Sequence, residues 1–290
     1  MENFIVYSEI GKGGYGTVVK AKDRRTGQMV ALKQVEFADK DEGVKNSAIR
    51  EVAIVKRCNH KSVIKILSCD IQDNALLIGY EIFPTDLRTF IKKHKLKESQ
   101  IKIIIKQILE GMEHIHSIGI IHRDIKPHNI LFDSEKMQTK IIDFGLSREA
   151  IFSKTQFSTN AGTKFFFAPE MMLGYPLYTN KVDVWGIGLV MSQLFSDNYA
   201  FSCKEFNEGL LKIFTVFGSY EQPQIDILKE YGMWKAPFEN IQPTGVDRIL
   251  KGASEYAKDL FKHLCDINWD TRYSATDALK HKWFEDISVE

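Results

Sequence analysis

Cysteine is scarce and scattered in this chain. Cys58, Cys69, Cys203 and Cys265 share no C-x-x-C spacing, which argues against a zinc site and a disulfide framework. All four are expected to be buried thiols in a reducing compartment. Long apolar runs are missing too. No segment approaches the roughly 18 uninterrupted apolar residues of a membrane helix, and residues 1–7 lack a basic region leading into such a run. A soluble intracellular protein of the nucleus or cytoplasm is therefore expected, with no membrane partner. An excess of either charge is also lacking: 39 basic and 38 acidic residues leave a net charge of +1. That balance supplies no global field to draw the chain to nucleic acid, so recognition by charge must be local. Internal repeats, low-complexity tracts and appended tails are absent as well, so control is expected from a partner or from modification. A length of 290 residues suits one large domain or two tightly associated lobes.

The pattern of what is present changes near Pro84. Before it, residues 4–7, 17–21 and 29–35 read as short strands, with Thr26-Gly27 as a turn, so an antiparallel meander is expected. A polar loop at residues 39–44 precedes a helix over residues 46–57, capped by Asn46 or Ser47, and two more strands are expected at 64–69 and 76–80. After Pro84, Ile101, Ile105, Ile108, Met112 and Ile115 recur at helical spacing. Residues 182–195 are apolar nearly all round, as a core helix would be. Ser274 to Asp277 reads as a capping box opening the last helix, which is expected to end within a few residues of the chain end. The expected division is a mainly β lobe over residues 1–83 and a mainly helical lobe over 84–290.

Gly11, Gly13 and Gly16 fit G-x-G-x-x-G, a weak motif alone because a dinucleotide-binding turn has it too. A helix should then follow, yet Thr17-Val18-Val19-Lys20-Ala21 is β-branched and reads as a strand. The glycines are therefore expected to form a hairpin that closes over phosphates. Lys33, in Val30-Ala31-Leu32-Lys33, stands where a strand lysine reaches nucleotide phosphates, and Glu51 in the next helix can hold its ammonium. Alone, either residue would read as solvent-facing. His122-Arg123-Asp124-Ile125-Lys126-Pro127-His128-Asn129 and Asp143-Phe144-Gly145 complete a phosphoryl-transfer layout. In that layout Asp124 takes or orients the acceptor hydroxyl proton and Lys126 neutralises the γ-phosphate, while Asn129 and Asp143 hold Mg²⁺. Ala168-Pro169-Glu170 closes the segment that begins at Asp143, and Arg272 is an expected buried partner of Glu170.

These motifs together resemble the eukaryotic protein kinases across essentially the whole chain. Residues 42–51, ending Ala48-Ile49-Arg50-Glu51, are similar to the cyclin-binding helix of the cyclin-dependent kinases, and Asp143 to Arg148, Val182 to Trp185 and Leu211 to Gly218 point to the same group. The resemblance implies an α+β bilobal kinase fold, ATP and Mg²⁺ as cofactors, protein Ser/Thr substrates, and a cyclin-like partner on the residue 46–57 helix. It implies a role in cell-cycle or transcription control. It places adenine at the Glu81-Ile82-Phe83 linker, under Ile10, Val18 and Ala31, over Leu131 and behind Tyr80, with Asp86 facing the ribose. The helix must move inward to place Glu51, and Ile49 on its exposed face offers a partner somewhere to grip. Arg50, Arg123 and Arg148, brought together, repel unless an anion joins them, which a phosphate on Ser158 or Thr159 would supply.

The chain also departs from the family pattern. Tyr15 matches the inhibitory tyrosine of the glycine loop, but Gly14 replaces the neighbouring threonine. Lys164-Phe165-Phe166-Phe167 replaces the family's Leu-Trp-Tyr-Arg, whose arginine supports the backbone shape that prefers proline after the acceptor. Lys126 with Thr163 favours Ser/Thr over Tyr as acceptor. A mitogen-activated relative is the alternative, weakened because Thr159-Asn160-Ala161 lacks Thr-x-Tyr. A non-catalytic scaffold is a further one, weakened because Lys33, Glu51, Asp124, Asn129 and Asp143 are all intact.

Overall fold

The computed structural model describes residues 2–13, 16–37, 46–72, 74–149, 156–159, 162–234, 238 and 240–287. Tyr15, Gly14 and the polar loop at 39–44 lie outside them.

Two layers of different character share one cleft. The first is a five-stranded antiparallel sheet in the order β1-β2-β3-β5-β4, made of β1 (Phe4–Gly13), β2 (Gly16–Asp23), β3 (Met29–Glu36), β4 (Ile66–Gln72) and β5 (Ala75–Tyr80). Between β3 and β4 comes α1 (Asn46–Arg57). One sheet face buries Phe4, Ala21, Val30, Leu32, Ala75 and Leu77 as a small core of its own. The other face, with Val35, Leu76 and Ile78, joins Ala48, Ile54 and Val55 of α1 and merges into the main core. Strand alternation thus sends every second side chain to a different core.

Two strands differ from the pattern reading. β1 continues through Gly11 to Gly13, because pairing of Glu9 with Val19 and Gly11 with Val18 carries the ladder into residues that have no apolar pattern to show it. β4 begins at Ile66, not 64. The backbones of residues 62–64 are committed elsewhere, Ile141 donating to Ser62 O (2.8 Å) and Ile64 to Ile141 O (3.1 Å). The cysteine expectation holds for Cys58, Cys203 and Cys265, but Cys69 is exposed. It lies on β4, an edge strand whose outward face alternates Leu67, Cys69 and Ile71.

The second layer is mainly helical. β6 (Thr85–Asp86), β8 (Ile130–Asp133) and β9 (Gln138–Ile141) form a small sheet, and β7 (Ile120–Ile121) pairs with β10 (Arg148–Glu149). The helices are α2 (Leu87–Ile91), α3 (Glu98–Ser117), α4 (Pro169–Leu173), α5 (Lys181–Ser196), α6 (Phe206–Phe217), α7 (Gln222–Glu230), α8 (Glu255–Leu264) and α9 (Ala275–Leu279). α3 buries Ile101, Ile105, Ile108, Met112 and Ile115. α5 is buried continuously from Val182 to Leu194. Its Gly186 matters to the cleft, since a Cβ there would lie 3.1 Å from Ile125 Cβ and from Ile125 O. A side chain at 186 would push out the loop that carries Asp124.

The Ser274 capping box forms, with Ser274 Oγ accepting from Asp277 N (3.1 Å) and Ser274 N donating to Asp277 Oδ2 (3.2 Å). Contrary to expectation, its helix stops at Leu279. His281 then accepts the Trp283 amide (3.1 Å) and starts a short 3₁₀ turn that buries Trp283 and Phe284.

Candidate active site

The cleft is lined from both layers. Gly11 pairs with Val18, which pairs with Lys33, so glycine loop and lysine share one register. A Cβ at Gly11 would meet nothing within 4 Å. Packing within the protein therefore does not demand glycine there, and the open space suits a group bound in the cleft. Ile10 is half-exposed, and Val18, Ala31 and Leu131 are partly exposed around the same opening. Asp86 stands opposite Leu131 in the β6–β8 register. Its carboxylate caps α2, Oδ1 accepting from Thr89 N (2.9 Å) and Oδ2 from Thr89 Oγ1 (2.7 Å), so a ribose hydroxyl would share it. Glu81 accepts from Lys65 N at 2.9 Å and pairs with Lys140 Nζ at 2.9 Å, and the same ammonium lies 5.9 Å from the Phe83 ring centre. These contacts occupy the Glu81 carboxylate and leave recognition at the linker to its backbone.

α1 lies inward. Lys33 Nζ donates to Glu51 Oε2 at 2.7 Å, while Tyr80 Oη donates to Glu51 Oε1 at 2.7 Å. Burial, and then the Glu51 charge, push the Tyr80 phenol far above its ordinary pKa, so it stays a donor. Sequence reasoning placed Tyr80 only beside the adenine and missed this bond.

Asp124 is the convergence point of the lower layer. Its Oδ2 accepts from Lys126 Nζ (2.6 Å) and Asn129 Nδ2 (2.9 Å), and its Oδ1 accepts from Thr163 Oγ1 (3.0 Å). Lys126 also donates to Thr163 Oγ1 at 2.7 Å. A carboxylate offers about four lone-pair positions. Three are used, and the fourth, on Oδ1, can take an acceptor hydroxyl. Asp143 adopts a left-handed conformation (φ +65°), and its Oδ1 is buried with no hydrogen-bond partner. Asn129 uses Nδ2 on Asp124 O (2.8 Å) and Oδ2, which leaves its amide oxygen available. The orphaned Asp143 oxygen and the Asn129 amide oxygen are hard oxygen donors, a type that fits Mg²⁺.

A second group of possible ligands does not fit a metal. Asp259, His263 and His281 each bring one atom within 4.8 Å of the others. However, His281 Nδ1 accepts the Trp283 amide, so its proton is on Nε2 and faces Asp259 at 3.1 Å. The lone pair a metal needs is taken.

Asp183 supports the catalytic loop from behind. It is 1% exposed, and it accepts from Arg123 N (2.7 Å), His122 N (2.8 Å) and His116 Nε2 (2.9 Å). Burial works against its charge, but the His116 bond and imidazole, with the Arg123 amide, hold its carboxyl below the ordinary range. The signals in the sequence were an acidic residue in an otherwise apolar helix and its place in the family-like run Val182 to Trp185. Arg272 forks onto Glu170 (2.7 and 2.9 Å) with both side chains fully buried, as expected.

The three arginines converge, each on a successive carbonyl after Asp143. Arg50 donates to Gly145 O (3.1 Å), Arg123 to Leu146 O (2.8 and 2.6 Å) and Arg148 to Ser147 O (2.9 Å). Burial lowers the Arg148 pKa, and the Arg123 and Arg50 charges add to that. Arg123 also donates to Tyr178 Oη (3.1 Å), which donates to Ser158 O (2.8 Å). Ser158 is therefore two hydrogen bonds from the cluster, with Thr159 next to it. No sequence signal pointed to Tyr178. Gly162 has φ +122°, and a Cβ there would lie 2.6 Å from Arg123 O and 2.9 Å from the Phe167 ring.

Comparison with known proteins follows the same lines. Residues 4–284 match the family described as protein kinase domain. Cyclin-dependent kinase B2-1 of Oryza sativa subsp. japonica is 31% identical over 307 residues, covering 100% of this chain and 92% of that protein.

Proposed function

The chain belongs to the protein kinase family, and from that premise we propose that it is a Ser/Thr kinase of cyclin-dependent type, acting in the nucleus or cytoplasm in cell-cycle or transcription control. The observation that carries the chemistry is Asp124, fixed by Lys126, Asn129 and Thr163 with one acceptor position open. Asp124 orients the substrate hydroxyl and takes its proton; Lys126 steadies the charge on the transferring phosphoryl group. Lys33, held by Glu51, grips the nucleotide phosphates. Asn129 and Asp143 would hold Mg²⁺. ATP with that ion supplies the phosphoryl group and offsets its charge.

A cyclin-like partner finds an apolar face prepared for it. Ile49 on α1 is 52% exposed, and on β4, which packs against α1, Leu67 is 41% and Ile71 62% exposed. Large apolar side chains left exposed on two neighbouring elements suit an interaction surface. Phosphorylation of Ser158, or of Thr159 beside it, would bring an anion that Arg50, Arg123 and Arg148 lack among the described residues. Gly162 keeps its φ of +122° against the Phe167 ring with no arginine to hold it, so proline after the acceptor is accepted but not demanded.

A peptide-library phosphorylation assay, run on the chain alone and with candidate cyclins, tests the reading. Phosphate on Ser and Thr peptides, rising with one cyclin, is expected. Equal rates with and without every cyclin would remove the partner, and transfer to tyrosine alone would remove the acceptor class. Phosphopeptide mapping of active protein with neither Ser158 nor Thr159 modified would remove the switch.

A further inference from the structure

Glu51 is held from two sides, and only one of them belongs to the phosphate-binding lysine. Lys33 reaches Glu51 Oε2 through a flexible four-carbon stem, whereas Tyr80 reaches Oε1 through a rigid ring with two rotatable bonds. Tyr80 ends β5, an interior strand of the sheet, where it pairs with Ala31 on one side and Ile66 on the other. Its hydroxyl is therefore fixed to the sheet frame. Glu51 rides on α1, whose opposite face carries Ile49, 52% exposed. Glu51 is 5% exposed and Tyr80 9%. Without the phenol hydroxyl, Glu51 Oε1 would be a buried oxygen with no donor among the described residues. A bond from hydroxyl to buried carboxylate is of the strong, charge-assisted kind.

We propose that Tyr80 is a positioning residue that holds Glu51, and with it α1, in the inward, phosphate-competent arrangement before any partner docks. The inference rests on the phosphoryl-transfer reading of Lys33 and Glu51. It makes the inward helix an intrinsic property of this chain, to which a partner adds.

The test uses the full chain, with Tyr80→Phe as a variant of nearly the same shape and Glu51→Ala as the background on which the effect must vanish. Hydrogen exchange of the α1 amides should speed up by about tenfold in Tyr80→Phe, the change expected when one charge-assisted bond is lost. On the Glu51→Ala background Tyr80→Phe should add nothing to that rate. The kcat of the chain alone should fall by about tenfold while KM for ATP stays within about twofold, because the ring that lines the cleft is kept. Unchanged α1 exchange overturns the proposal, as does an equal effect on the Glu51→Ala background. Faster exchange with unchanged kcat also overturns it, since the bond would then be structural only. Exchange needs no turnover, so a wild-type chain that transferred no phosphate, alone or with any candidate cyclin, would sink the kinase reading while exchange still decided the tie.

Discussion

Replacing Asp183 by Asn tests how the catalytic loop is held. Asp183 accepts two loop amides and His116, all within 2.9 Å, at 1% exposure. An amide side chain has one oxygen, so it keeps one loop N–H and turns its own NH₂ toward the other. One bond to a charged acceptor is lost, worth roughly 1.5–3 kcal/mol, and one buried donor is left facing a donor, costing about 1–3 kcal/mol. The expected destabilisation is therefore roughly 2.5–6 kcal/mol, or a Tm lower by on the order of 10 °C for a chain of this size. The pH dependence has a definite sign. The folded carboxyl titrates below its unfolded value, so its contribution is complete above about pH 4 and is lost as pH falls through the folded pKa. Wild type and Asp183→Asn should thus differ most near neutrality and converge in acid. Differential scanning calorimetry from pH 3 to 7.5 reads both. A Tm within about 2 °C of wild type at pH 7, or a gap that does not narrow in acid, would refute the reasoning.

Asp124→Asn should lower kcat by about 10²–10⁴-fold in a steady-state assay, the range for a general base, and full activity would reassign it. Thr163→Val removes the bond to Asp124 Oδ1, and about tenfold lower kcat is expected, with Thr163→Ser near wild type. Glu170→Ala leaves Arg272 buried and unpaired, so urea unfolding should show a loss of roughly 3–5 kcal/mol. Ile49→Asp puts a charge on the exposed face of α1 and should weaken binding of an activating cyclin by at least about tenfold in calorimetry.

Much of the catalytic loop was legible because its parts are close in sequence: Asp124, Lys126 and Asn129 are five positions apart at most, and local geometry brings them together. Lys33 and Glu51 were legible as a pair only through the company they keep. What escaped depends on register and depth. The Tyr80 hydroxyl finds Glu51 because β5 ends where it does, and no pattern in residues 75–80 says so. Tyr178 links Arg123 to Ser158 across a loop whose path is set by tertiary packing. Cys69 was misjudged because β4 reads like any half-buried strand until its place at the sheet edge is known. The end of β1 was missed because glycines carry no side-chain alternation.

The row of carbonyls under Arg50, Arg123 and Arg148 bears on how long a phosphate would survive. Arg50 belongs to α1, so a phosphate at Ser158 and a partner on α1 would grip the same movable piece. Linkage makes their effects equal in both directions: whatever factor the phosphate adds to partner affinity, the partner adds to the hold on the phosphate. A phosphatase would then meet a shielded ester on the assembled enzyme and an open one on the free chain. Loss of the partner would erase the modification without any separate signal to remove it.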